Sequence, residues 1–112
     1  MAPVKVKDQW GYVDLSGMLV IEPSYDNAET FSEQRALVEK NGKYGYIDYS
    51  GRVIVEPRFF EEAYPFSDGL ALIKMNGRYG YINQAGDFMI EPQFYDADSF
   101  KEGAALVGLE NK

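Results

Sequence analysis

Two residue types are missing from the chain altogether, cysteine and histidine. Without cysteine there is no disulfide, no thiolate metal site and no cysteine nucleophile. Without histidine, serine–histidine triads, imidazole ligation and histidine acid–base chemistry are excluded. Basic residues are scarce beside acidic ones, 11 against 18, and the net charge of −7 disfavours nucleic acid and anionic membranes as partners. No apolar run reaches the length of a signal-peptide core or a membrane-spanning helix. The chain as given is therefore expected to be cytoplasmic, with no membrane insertion. A glycine-rich phosphate loop is also missing, because the glycines stand singly in turn contexts.

What the chain does have is aromatic residues, 15% of the total, from nine Tyr and seven Phe, and a text written three times. The central copy, Tyr44 to Pro57, reads Y-G-Y-I-D-Y-S-G-R-V-I-V-E-P. It matches W-G-Y-V-D-L-S-G-M-L-V-I-E-P from Trp10 to Pro23 and Y-G-Y-I-N-Q-A-G-D-F-M-I-E-P from Tyr79 to Pro92. The aromatic–Gly pairs, the second glycines (Gly17, Gly51, Gly86) and the prolines all recur at 34 and then 35 residues. Phe31, Phe66 and Phe100 recur at 35 and then 34, so the second copy carries one extra residue between its Pro and its Phe. A fixed period of this size marks a repeat architecture.

Each copy holds two short β-type runs and ends in a third: Ala36–Val38, Leu70–Ile73 and Ala105–Val107. Asn41-Gly42 and Asn76-Gly77 join the third run to the next aromatic–Gly pair. Asn-Gly between apolar runs is the strongest short hairpin signal, since both residues accept a positive φ. The third strand of one copy should thus pair with the first strand of the next. Val4–Lys7 aligns with the same third run and is expected as a lone strand before the first hairpin. Glycine between two aromatics leaves space for a close neighbour, and Gly17, Gly51 and Gly86 suit turns needing positive φ. The prolines cannot donate to a ladder, so they should end the second strand or sit at its edge. The acidic linkers (Asp26–Glu33, Glu61–Asp68, Asp96–Glu102) read as loops with at most one helical turn, each pinning a Phe into the core.

The text (W/Y)-G-Y-(I/V)-(D/N)-x-x-G, followed by x-P-x-(Y/F) and A-x-x-F, resembles the WG-containing repeat, also called the KWG repeat. Such repeats occur mainly in bacterial proteins as tandem arrays. The likeness covers nearly the whole chain, although Tyr44 and Tyr79 replace the Trp kept at Trp10, and Gln34-Arg35 stands where other copies have Gly69-Leu70 and Gly103-Ala104. The resemblance implies a β-rich domain that mediates binding.

The expected fold is all-β: one domain over residues 1–112, with units at about 4–38, 39–73 and 74–107, forming a curved antiparallel array. A pseudo-threefold barrel of β-trefoil type, or part of a propeller, would also suit three such units. The chain stops at a repeat boundary, as an excised piece of a longer array or a designed product would.

The carboxylates raise the question of hydrolysis, but Asp14, Asp48 and Asn83 hold equivalent positions, as do Glu22, Glu56 and Glu91. An active site needs unlike residues in unlike environments. The Asp/Asn row is better explained as capping the turn that follows it. Asp96 and Asp98 alternate as calcium ligands can, without the glycine and distal glutamate of a calcium loop, and a solvated loop is expected there. No catalytic residue, cofactor or metal is therefore assigned.

Three aromatic rows remain: Trp10/Tyr44/Tyr79, Tyr12/Tyr46/Tyr81 and Tyr25/Phe59/Phe94. At least one must fill the core, and one left exposed would bind. Trp10, Tyr12, Tyr44, Tyr46, Tyr79 and Tyr81 are the candidate binding aromatics, while Tyr49, Tyr64 and Tyr95 lie outside the rows and belong at the surface. The expected function is a non-enzymatic interaction or scaffold module that meets protein partners, or its own copies, through aromatic surfaces and sheet edges. A structural spacer without ligand and a glycan-binding module are the alternatives.

Overall fold

The computed structural model describes residues 1–99 and 107–108, and among them there is no helix. Thirteen antiparallel strands run in chain order through the described residues. They are β1 (Ala2–Val6), β2 (Gln9–Val13), β3 (Leu19–Tyr25), β4 (Asn27–Ala28), β5 (Arg35–Lys40), β6 (Lys43–Asp48) and β7 (Val53–Phe60), followed by β8 (Glu62–Ala63), β9 (Ala71–Met75), β10 (Arg78–Ile82), β11 (Phe88–Phe94), β12 (Asp96–Ala97) and β13 (Val107–Gly108). They form sheets ordered β1-β2-β3, β4-β5-β6-β7, β8-β9-β10-β11 and β12-β13. Among the described residues no sheet closes on itself, and the extents of 52 × 29 × 17 Å are those of an elongated stack rather than a trefoil or propeller ring.

The offset between sequence copies and sheets is as the Asn-Gly signals require. Asn41 and Gly42 adopt φ of 54° and 79°, Asn76 and Gly77 of 53° and 79°, and β5–β6 and β9–β10 close as two-residue hairpins. At the first hairpin Lys7 and Asp8 take the same left-handed conformations. The expected lone strand before it is in fact paired, with β1 matched to β2 from Ala2↔Val13 to Val6↔Gln9.

The linkers differ from expectation. Instead of a helical turn, each contributes a two-residue strand, β4, β8 or β12, laid along the third strand of its copy. The chain then reverses through a second tight hairpin, where Ser32 and Arg35, or Ser67 and Leu70, exchange both backbone hydrogen bonds. Phe31 packs against one core and Phe66 is buried in the other. Phe100, Gly103-Ala104 and the start of the last third run fall outside the described residues.

Nor do the prolines end their strands. β3, β7 and β11 continue past Pro23, Pro57 and Pro92, which sit in bulges where several residues oppose a single glycine. A bulge on an edge strand is where a missing N–H costs nothing. In the first copy the pairs are Trp10↔Tyr25 and Tyr12↔Ile21, and in the second Tyr44↔Phe60 and Tyr46↔Val55. The extra residue of the second copy is accommodated here. It moves Phe60 into the place of Tyr25 and turns Phe59, the expected row member, outward to solvent. A one-residue slip reverses every side chain beyond it.

Period-2 alternation then builds two cores from one sheet. Leu37, Tyr46 and Phe60 join Ala63, Phe66, Ala71, Ile73 and Ile82 between the second and third sheets. Ala36, Val38 and Ile47 join Tyr12, Ile21 and Tyr25 between the first and second. Tyr46 and Ile47 are sequence neighbours, 1% and 0% exposed, in different cores. The second sheet thus covers both its neighbours, and the stack is continuous across the first three sheets.

Candidate functional site

The six sequence-nominated aromatics separate into two environments. Tyr12, Tyr46 and Tyr81 are fully buried. Each hydroxyl donates to a backbone carbonyl in the following linker: Tyr12 to Glu29 at 2.8 Å, Tyr46 to Tyr64 at 2.7 Å and Tyr81 to Asp98 at 2.7 Å. The rings of Tyr12 and Tyr46 meet Phe31 and Phe66 edge-on at 5.2 and 5.1 Å. This is the geometry of a buried Tyr whose polar end finds a partner. Burial raises the Tyr46 hydroxyl far above the ordinary tyrosine value, the Tyr64 carbonyl only partly offsetting it. These three tyrosines fasten the linkers to the sheets and offer no outer surface.

Trp10, Tyr44 and Tyr79 are half-buried on the neighbouring row. Tyr79 donates to Glu62 Oε1 at 3.0 Å, as does Tyr64, and the Lys74 ammonium lies 5.5 Å from the Tyr79 ring and 3.5 Å from Glu62. Desolvation and then Glu62 push the Tyr79 hydroxyl up to about 12. The Tyr64 hydroxyl, followed by that of Tyr79, holds the Glu62 carboxyl below its usual range. Tyr49, Tyr64 and Tyr95 are exposed, as their places outside the rows implied.

Acidic side chains serve the backbone. Asp14 Oδ1 accepts from the Ser16 amide and hydroxyl and from the Met18 amide. Asp48 does the same with Ser50 and Arg52, and Asn83 with the amides of Ala85 and Asp87. The expected turn caps are therefore present in all three copies. Less legible were the linker acids. Asp26 accepts the Asn41 amide at 2.8 Å and Glu61 the Asn76 amide at 3.0 Å. Glu33 reaches into the next copy, its two oxygens accepting the Asp68 and Gly69 amides at 2.9 and 2.8 Å. Consecutive turn amides of this kind form anion-binding concavities. In the linker read as a solvated loop, Asp96 Oδ1 accepts the Ala97 amide.

Leu15 and Met18 are exposed in the turn between β2 and β3, and a repeated set of exposed apolar side chains lies on the second strands, which sequence reasoning had not singled out. β3, β7 and β11 are the outer strands of their sheets. Leu19, Val53 and Phe88 occupy equivalent places on them, opposite Val13, Ile47 and Ile82, and are 44%, 37% and 37% exposed. Met89 and Phe59 add to the same set of strands at 58% and 51%. Signals were available: Leu19-Val20, Val53-Ile54 and Phe88-Met89 are unbroken apolar pairs, which a two-faced edge strand cannot bury completely.

A family model, the WG containing repeat, matches residues 10–44, 44–79 and 79–112. The chain belongs to this family. The WG repeat boundaries fall on the aromatic–Gly pairs: the matched repeats begin in β2, β6 and β10, and the first two close at the next such pair. Neither the curated proteins nor the solved structures contain a match to the chain.

Proposed function

We propose that this WG repeat array is a non-enzymatic module that binds a protein partner across its row of second strands. The observation that carries the reading is the repeated exposure of Leu19, Val53 and Phe88 on three outer strands. Apolar side chains beside open ladder groups suit a partner that adds an extended segment to a sheet edge. The engagement of Asp14, Asp26, Glu33, Asp48, Glu61 and Glu62 in fixed hydrogen bonds also favours a structural over a catalytic use of the carboxylates.

Selection from a displayed random-peptide library, followed by calorimetry on the enriched peptides, tests the reading. Saturable binding that weakens in a Val53→Ser/Phe88→Ser double variant is expected. An enriched set that never emerges, or binding indifferent to both substitutions, removes the proposal. Light scattering across a concentration series addresses the spacer alternative, in which copies associate without a ligand.

A further inference from the structure

The seam between the second and third sheets differs from the seam before it. It carries a groove of about 370 Å³ lined by Ile54, Val55, Glu56, Phe59, Met75 and Phe88, among others. That volume lies within the range of side-chain and small-ligand pockets. At the preceding seam the residues equivalent to Met75 and Phe88 are Lys40 and Val53, and Phe59 has no counterpart. The inserted residue of the second copy therefore has a visible consequence: it stands an aromatic ring at the rim of this groove, half in water, where the core gains nothing from it. Arg58 lies 5.1 Å from that ring's centroid on the outside. On the groove wall the charged side chain is Glu56, the adjoining hollow holds Glu91 together with Arg78, and the whole chain carries −7. β7 has no strand along its outer edge among the described residues.

We propose that this groove receives one large apolar side chain of an extended partner segment, with lysine or arginine two residues to either side of it. The proposal rests on the protein-binding reading and names the partner's chemistry. Residues two apart on a strand point the same way, so the flanking cations face Glu56 while the central ring fills the space between Phe59 and Phe88. Complementary charge sets register and excludes acidic competitors. A second copy of this chain is disfavoured by the same charge.

The probe is an acetylated, amidated pentapeptide, lysine-threonine-phenylalanine-threonine-lysine, titrated into the labelled chain and followed by amide chemical shifts. Its controls carry glutamate for lysine, or alanine for phenylalanine. Saturable shifts confined to residues 53–60 and 86–88 are expected, with weaker binding by both controls. Phe59→Ser, at an exposed position, and Met75→Lys, which installs the residue of the other seam, should each weaken binding roughly fivefold. Glu56→Gln should reduce the preference for lysine over glutamate. Equal binding of the acidic peptide overturns the proposal, as does the absence of saturation at millimolar peptide. Movement of the same resonances with protein concentration alone assigns the groove to a second copy and also overturns it. Saturation elsewhere on the surface overturns the groove while leaving the broader protein-binding reading in place.

Discussion

Gly45 lies directly against Pro57. A methyl group on Gly45 would stand 2.7 Å from the proline nitrogen and closer still to the Val55 carbonyl. Gly11 with Pro23, and Gly80 with Pro92, repeat the relationship at 2.8 and 2.7 Å. The glycine and the proline of each copy are two halves of one device: the bulge folds the second strand back over the first, and only hydrogen fits beneath it. The obstructing atoms are backbone and cannot swing aside. Gly45→Ala should therefore destabilise the chain by about 3 kcal/mol, at the upper end of overpacking costs, measured by urea unfolding against wild type.

Removing the Tyr46 hydroxyl tests the linker fastening. Tyr46→Phe leaves the ring in place but deprives the Tyr64 carbonyl of its donor. A loss of about 1 kcal/mol is expected from a single buried hydrogen bond. Tyr46→Ala should cost about 3–5 kcal/mol, because the ring volume goes too. Equal losses in the two variants would show that the hydroxyl, and not the ring, dominates.

Gln34 offers a gain. It holds φ at 67° in the turn where the next copy has Gly69 at 78°. A left-handed conformation costs a residue with a side chain about 1–2 kcal/mol, and the freer unfolded state of glycine offsets part of the relief. Gln34→Gly should raise stability by about 0.5–1 kcal/mol, visible as a higher midpoint in thermal unfolding. Glu33 beside it must be kept, since its carboxylate caps the next copy.

Acid sensitivity should follow the turn caps. The Ser16 hydroxyl, and then the Met18 amide, hold the Asp14 carboxyl below its usual range, and the Ser50 hydroxyl and Arg52 amide do so for Asp48. A carboxyl with a depressed folded-state pKa contributes stability above its unfolded value and loses it as pH falls through the folded one. Asn83 makes the corresponding amide contacts without a titrating group. An Asp14→Asn/Asp48→Asn variant should thus fold at neutral pH and lose less stability than wild type between about pH 5 and pH 2. Denaturation midpoints across that window measure the difference.

Much of the local geometry was readable from residue identity. Asn41-Gly42 and Asn76-Gly77 announced their hairpins, and Gly17, Gly51 and Gly86 their positive φ, because few other residues tolerate those conformations. Asp14, Asp48 and Asn83 announced their caps by standing two residues before the amides they accept. The two-residue strands β4, β8 and β12 were hidden, since pairs such as Asn27-Ala28 carry no strand pattern and become extended only by lying on β5 and its equivalents. The exchange of Phe59 for Phe60 was hidden too. An insertion can be counted in a sequence, but where it is absorbed depends on which backbone the bulge opposes. The partition of the aromatic rows was equally out of reach, because alternation says only that Tyr46 and Ile47 face opposite ways.

By itself the sequence determined the repeat, its period, the turns and the antiparallel hairpins that straddle copy boundaries, all of which follow from local conformational preference. Stacking decided the rest. With a sheet on each side, both faces of β5 and β6 become interior, so Tyr46 and Ile47 both go to the core, while Leu19, Val53 and Phe88 are left exposed on the outer strands β3, β7 and β11. Burial depends on what covers a strand, and that covering comes from residues about 35 positions away in the chain.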